Sequence, residues 1–312
     1  MRYISTLKEG QRVSDIYLCK TKTIANTKNG KTYYSLTLQD KTGMVNGKIW
    51  DLNNAIHDFE ALDYIAIDAD VTMFMNALQL NIRRLRVAEP GEYDAGDYMP
   101  VSPYNRDEMY AELIGYVNSI GNEWLRSLTA SFFKDEDFAR RFKLHSAAKT
   151  IHHSFVGGLL QHTLRVTQMC DYYSSRYPLI NRDLLITGAM LHDVGKLEEL
   201  SAFPENDYTD EGQLVGHIVI GYRMIYEHIK ELEGFPRELA SQLEHMILAH
   251  HGELEYGSPK KPATLEAVAL HYADDTDAKF QIMSEVFDTS VGPGEWLGYN
   301  KILDSNVRKT TL

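Results

Sequence analysis

Leu191-His192-Asp193-Val194-Gly195-Lys196 decides how this chain is read. It closes the apolar run Leu184 to Leu191, whose composition fits a buried helix, and it ends on an imidazole beside a carboxylate before Gly195 turns the chain. Neighbouring helical positions point about 100° apart, so the pair alone says little. Polar side chains closing a buried helix need partners, and a metal ion satisfies several at once. The pair also has company: His162 upstream, and His217, His250, His251 and Asp274 downstream. Imidazole nitrogens and carboxylate oxygens suit Zn, Mn, Fe, Ni or Co, while two cysteines cannot build an all-thiolate site. The expectation is a hydrolytic centre with one or two metal ions in the C-terminal two-thirds of the chain.

The surrounding sequence reads as helical. From Asp107 onward Tyr110, Leu113, Ile114 and Val117 recur at helical spacing, and further helices are expected over Trp124 to Phe133 and Glu136 to Phe142. Gly157-Gly158 permits close backbone approach, and His162 is read as heading the next helix. Residues 198–211 read as a loop, Gly212 to Leu232 as one helix, and Pro236 to Leu248 as another ending at His250-His251-Gly252. Leu265 to Ala278 is helical and continues over Phe280 to Phe287, whereas the tail from Ser290 reads as irregular because of Gly292-Pro293-Gly294.

The first 90 residues have a different period. Gln11 to Cys19, Thr23 to Ala25, Tyr33 to Gln39, Met44 to Trp50, Tyr64 to Val71 and Leu78 to Val87 are rich in β-formers, with a hairpin signal at Asn29-Gly30. Asp51 to Leu62 reads as a helix through Ala55, Ile56, Phe59 and Leu62. Five short strands with a late helix fit a small closed barrel, the OB-fold. Tyr33, Tyr34 and Trp50 are candidate stacking residues, and Lys28, Lys31, Lys41 and Lys48 candidate phosphate contacts. Because strand side chains alternate, the two adjacent tyrosines cannot both face inward.

The 312 residues, 44% of them apolar, are enough for two or three cores, and the net charge is -12. Residues 1–90 hold 12 Lys/Arg against 10 Asp/Glu, a net +2; residues 91–312 hold 20 against 34, a net -14. Bulk charge argues against a nucleic-acid partner, but bound cations would invert the local electrostatics of an acidic site. Cys19 and Cys170 show neither disulfide nor zinc-finger spacing, a usage that fits a reducing compartment. Met1-Arg2-Tyr3-Ile4-Ser5 lacks the apolar run of a signal peptide and no window approaches a membrane span, so no membrane partner and a cytoplasmic location are expected.

The polar set resembles the HD superfamily of metal-dependent phosphohydrolases, in which a histidine, a His-Asp pair and a later aspartate bind one metal. By that resemblance the four are His162, His192, Asp193 and Asp274. Members with a second ion add histidines, here matched by His217 and His250, with Asp193 as the bridge and His251 as a further ligand or a phosphate contact. Two ions can activate water and neutralise the leaving oxygen together. Lys196 is a candidate for holding a non-bridging phosphate oxygen, and His152 and His153 for facing the phosphate or the leaving nucleoside. Asp277, one turn after Asp274, is a candidate carboxylate behind the ligands; His145 and His271 stand between packing and site support, and His57 and His228 read as structural or surface residues.

Ile151-His152-His153-Ser154, Gly157-Gly158-Leu159-Leu160-Gln161-His162, the His192-Asp193 stretch, Gly216-His217 and His250-His251-Gly252, behind an N-terminal barrel, look more narrowly like the YhaM-type 3′→5′ exoribonucleases. The expectation is therefore a multidomain chain, a small all-β OB-fold barrel (1–88), a linker (89–106), an all-α HD-type domain (107–290) and a tail (291–312). The resemblance implies a manganese-dependent 3′→5′ exonuclease, with Co, Fe, Ni or Zn as other candidate ions. It would act on single-stranded RNA, and on single-stranded DNA as a second substrate, with His192, Asp193 and Lys196 as its catalytic residues. A homo-oligomer would raise the effective concentration of a near-neutral barrel. The rival readings are a hydrolase of free or cyclic nucleotides and a non-catalytic binding protein.

Overall fold

The computed structural model describes residues 1–27, 30–74, 77–149, 153–289 and 294–310. It divides into two compact units, Met1–Val101 with Phe203–Glu205, and Ser102–Ala202 with Asn206–Leu312.

The first unit is a closed five-stranded barrel of β1 (Arg12–Asn26), β2 (Thr32–Asp40), β3 (Gly43–Ile49), β4 (Tyr64–Phe74) and β5 (Ala77–Val87), ordered β1-β2-β3-β5-β4. All pairs are antiparallel except β3 with β5. Alternation builds it: Ile65, Ile67, Ala69 and Val71 of β4 point inward to meet Tyr17, Leu36, Leu38, Ile49, Leu80 and Leu85. The two early strands expected from sequence are one. A bulge between Cys19 and Thr21 bends β1, so its first half pairs with β4 and its second with β2. At the following turn, Thr27 and Gly30 are bonded (2.9 Å), while Lys28 and Asn29 lie outside the described residues.

The helix expected over 51–62 is absent. Asn53 accepts the Ala55 N–H on its side chain (2.8 Å), an alternative partner that competes with helix formation. Ala55 and His57 then bond to the Leu85 backbone, and Phe59 drops into the barrel core. Beyond β5, Tyr98 and Met99 are buried and Gln39 donates to the Tyr98 carbonyl (3.0 Å), so the compact unit runs on to Val101 through the stretch read as linker.

The second unit begins with α1 (Arg106–Ser119), α2 (Glu123–Phe133), α3 (Glu136–Leu144), α4 (Gly158–Arg176) and α5 (Arg182–Leu191). It continues through α6 (Lys196–Glu199), α7 (Asp210–Leu214), α8 (His217–Glu231), α9 (Arg237–Ala249) and α10 (Leu265–Thr289). Asn105, Asn122, Asp135, Asn181 and Thr209 cap their helices by accepting backbone N–H groups. Every residue of α5 from Leu184 to Leu191 is buried, and Gly188 leaves room there for Met246 of α9.

Three sequence expectations change here. The segment 198–211 carries the short helices α6 and α7 at its ends. The helix expected over 212–232 breaks at Gly216, whose φ of 78° is left-handed. The tail is a hairpin of β6 (Trp296–Asn300) and β7 (Ser305–Arg308), turned where Asn300 accepts the Ile302 and Leu303 N–H groups (both 3.0 Å), with Val307 buried. Gly292 and Pro293, which led to the irregular reading, lie outside the described residues.

Candidate metal centre

His162 lies in the second turn of α4, not at its head; the helix starts at Gly158, where a side chain would overlap the His153 carbonyl. His192 ends α5 and Asp193 follows it. Asp274 and Asp277 lie one turn apart on α10, close enough along the helix to share a face. Gly195 permits the meeting of the last pieces, because the start of α8 packs directly on its Cα.

Two groups of ligand atoms result, sharing Asp193. In the first, His162 Nε2 stands 3.2 Å from His192 Nε2, 3.4 Å from Asp193 Oδ2 and 3.2 Å from Asp274 Oδ1. In the second, His217 Nε2 is 3.3 Å from His251 Nε2, and Asp193 Oδ1 lies 3.6 Å from His217 Nε2 and 3.7 Å from His250 Nε2. Ligands about 2.1 Å from a common ion lie about 3.0–3.4 Å apart in octahedral or tetrahedral geometry. The spacings about His162 and between His217 and His251 are of that size, while those from Asp193 Oδ1 to His217 and His250 and from His192 Nε2 to Asp274 Oδ1 (3.9 Å) are a few tenths of an ångström longer.

Hydrogen bonds behind the rings decide which nitrogen of each faces inward. His162 donates from Nδ1 to Asp277 Oδ2 (2.7 Å), His192 to the Ala189 carbonyl (2.8 Å) and His217 to Glu199 Oε1 (2.8 Å). His250 donates to the Ile247 carbonyl (2.6 Å) and His251 to the Tyr256 carbonyl (2.8 Å). Each partner only accepts, so each Nδ1 carries a hydrogen, and each ring in its neutral form turns an Nε2 lone pair inward. Lone pairs facing each other at 3.2 and 3.3 Å, beside carboxylates, repel unless positive charge, a proton or a metal ion, lies between them. Among the described residues no hydrogen-bond donor reaches Asp193 Oδ1 or His250 Nε2, both buried. The donor set therefore fits two divalent-metal sites.

Charge balance agrees. Burial disfavours the Asp193 carboxylate, yet Lys196 and His192 hold its pKa well below the ordinary value. Burial likewise opposes the His162 cation, but Asp193, Asp274 and Asp277 raise its pKa well above the usual range: this point attracts positive charge. Burial, aided by His251 and His192, holds the His250 pKa well down, and burial with His217 lowers that of His251. Both rings are thus neutral, the state that binds metal. Lys196 Nζ lies 2.6 Å from Asp193 Oδ2, and that carboxylate outweighs burial in raising its pKa.

His153 is wholly buried and bonds through Nε2 to Asp277 Oδ2 (2.8 Å), behind His162. His152 lies outside the described residues. His271 contacts the His250 carbonyl through Nδ1 (3.0 Å), and His145 contacts the Ser146 and Leu200 carbonyls (3.0 and 3.1 Å). In the barrel, Tyr33 packs against Trp50 with ring centroids 4.6 Å apart and planes tilted by 31°, Trp50 is exposed, and the Lys48 ammonium lies 5.5 Å from the Tyr33 ring centre. Tyr34 instead packs on the barrel core against Phe59. Lys31 and Lys41 are paired with Asp51 (3.0 Å) and Asp97 (2.6 Å). Sequence reading missed Glu199, whose signal was an acid in the turn after Lys196, inside a segment taken for loop.

Known proteins bear on this geometry. The HD domain model matches residues 159–279, which include every residue of both ligand groups together with Glu199 and Asp277. The 3′-5′ exoribonuclease YhaM of Geobacillus sp. (strain WCH70) is 34% identical over 293 residues, covering 92% of this chain and 88% of that protein. YhaM of Bacillus pumilus (strain SAFR-032) is 34% identical over 295 residues, covering 94% and 93%. Among solved structures, the second OB-fold domain of replication protein A from Methanococcus maripaludis aligns with 29% of this chain and 96% of that one, at 19% identity and a TM-score of 0.23. On its sequence likeness along nearly its whole length, the chain belongs to the YhaM family of 3′-5′ exoribonucleases and carries the HD domain of metal-dependent phosphohydrolases.

Proposed function

We propose that the protein hydrolyses the terminal phosphodiester at the 3′ end of single-stranded RNA and releases 5′-mononucleotides one at a time, using two manganese ions. The observation that carries the reading is Asp193: one oxygen faces His162 and His192, and the other faces His217 and His250. When bound, two divalent ions supply Lewis acidity and make water a nucleophile at neutral pH.

The chain's own residues do the rest. His162, His192, Asp193 and Asp274 would hold one ion, and Asp193, His217, His250 and His251 the other. The hydrogen bonds on each Nδ1 fix ring and tautomer beforehand, so little reorganisation is needed at the moment of reaction. Lys196 keeps a positive charge beside Asp193, where it can hold a phosphate oxygen as negative charge grows. The Tyr33–Trp50 pair with Lys48 offers the barrel a stacking platform and a phosphate contact. Single-stranded DNA is the second polymer substrate, and association of several chains would strengthen capture by the barrel.

The test is a time course with manganese and two RNAs of one sequence, labelled at the 5′ or the 3′ end. A ladder shortening from the 5′-labelled strand, with immediate mononucleotide from the 3′-labelled one, is expected. Cleavage of free or cyclic nucleotides with both RNAs intact would overturn the reading.

A further inference from the structure

We infer that Glu199 is the positioning residue of the second ion site and makes that site conditional on the seating of α8. The inference rests on the two-ion reading above. Glu199 Oε1 accepts two hydrogen bonds from one residue, the His217 backbone N–H (2.9 Å) and the His217 ring Nδ1–H (2.8 Å). The first bond caps α8: the residue before the helix is Gly216, which has no side chain to offer, so a carboxylate from α6 takes that place. The second bond fixes the tautomer that sends Nε2 toward Asp193 and His251. One carboxylate oxygen thus sets both where the helix begins and how its first side chain is turned.

Glu199 is itself held. It is largely buried, and its backbone carbonyl accepts the Thr209 N–H (2.9 Å). A side chain on Gly212 would collide with that carbonyl, so α7 is pressed against it. The first ion site touches α6 through Lys196, but its ring hydrogen bonds do not run through Glu199. Its histidines are anchored by Asp277 and the Ala189 carbonyl, and its second carboxylate comes from α10. The two sites share Asp193 and meet where the His192 and His250 rings lie 5.2 Å apart, but the hydrogen bonds behind their histidines are separate, and loss of Glu199 falls on one set.

The full chain, stripped with chelator, is dialysed against graded manganese, and bound ions per chain are counted for wild type, Glu199→Gln and Glu199→Ala. Wild type is expected to take up two ions. Glu199→Ala should keep the first within about twofold and weaken the second by about 10- to 100-fold. Glu199→Gln keeps an accepting oxygen and should fall between. A role confined to holding up the fold would weaken both ions together, and that result overturns the inference, as does a Glu199→Ala protein that binds both ions like wild type. Wild type binding fewer than two ions would overturn the two-ion reading beneath it. Should Glu199→Ala fail to fold, the same split is read from Glu199→Gln.

Discussion

Gly195→Ala should cost both stability and activity, although it adds a single methyl group. The methyl would overlap the His217 carbonyl oxygen and stand 2.5 Å from Gly221 N and 3.0 Å from Gly221 Cα. Ordinary contact begins near 3.4 Å, so the start of α8 has to retreat by about 1 Å, and backbone cannot rotate away as a side chain would. Overpacking of this kind costs about 1–3 kcal/mol, which for a unit of this size lowers Tm by about 2–12 °C. The same retreat carries His217 away from Asp193 and His251, where it now lies at 3.6 and 3.3 Å. Metal ligation tolerates about 0.2 Å, and a 1 Å misplacement of a reacting group costs about 10²-fold in rate. Calorimetry of the chelated protein, ion counting and RNA hydrolysis read the three consequences. Gly115→Ala is the control: it lies within α1 with nothing inside 4 Å of the added methyl, so it should stabilise by about 0.5–1 kcal/mol. Wild-type Tm and rate in Gly195→Ala would refute the close-packing argument.

Other outcomes follow from the same structure. Asp193→Asn should lower kcat by at least about 10²-fold while leaving single-stranded RNA binding within a few-fold, as checked by parallel hydrolysis and anisotropy; a retained rate would remove Asp193 from the mechanism. Trp50→Ala should weaken RNA binding by about 1–3 kcal/mol, read as Kd, with little change in hydrolysis of a dinucleotide. Equal affinity would show that the Tyr33–Trp50 face is not the platform. Burial lowers the pKa of His145 and His228 below the 6.5 of a free histidine, so between that value and their folded ones the unfolded chain binds more protons. Their contribution to stability is full above pH 6.5 and is lost as pH falls toward the folded values. These two residues should therefore lower the urea midpoint from pH 7 to 5, and the midpoint should fall less, or rise more, in His228→Phe than in wild type, because that variant keeps a ring against Phe132 but cannot take a proton.

Much of this could be read along the chain because polar residues interrupt apolar helices at a few places. His192 and Asp193 end a helix whose every residue from Leu184 on is buried, so their side chains had to meet partners. The barrel was readable because β4 alternates from Ile65 to Val71 without a break. The stretch 51–62 misled because Ala55, Ile56 and Phe59 have helical spacing, while their backbone partners lie on β5, beyond the reach of local pattern. The bulge in β1 was hidden for a similar reason: it exists to let one strand serve two neighbours.

Residue type and spacing were enough to select imidazoles and carboxylates for a hard or borderline cation and to put them on helices. They do not say which atom of each residue looks inward. His162 presents Nε2 because Asp277, 115 residues away, takes its Nδ1 hydrogen. His153 serves that same carboxylate, although its place just ahead of α4 made it a candidate for facing the phosphate or the leaving nucleoside. Asp193 divides its two oxygens between two groups because α8, α9 and the end of α5 meet there. A ring's tautomer and a carboxylate's orientation are set by hydrogen-bond partners, and those partners come together only when helices distant in the chain are packed.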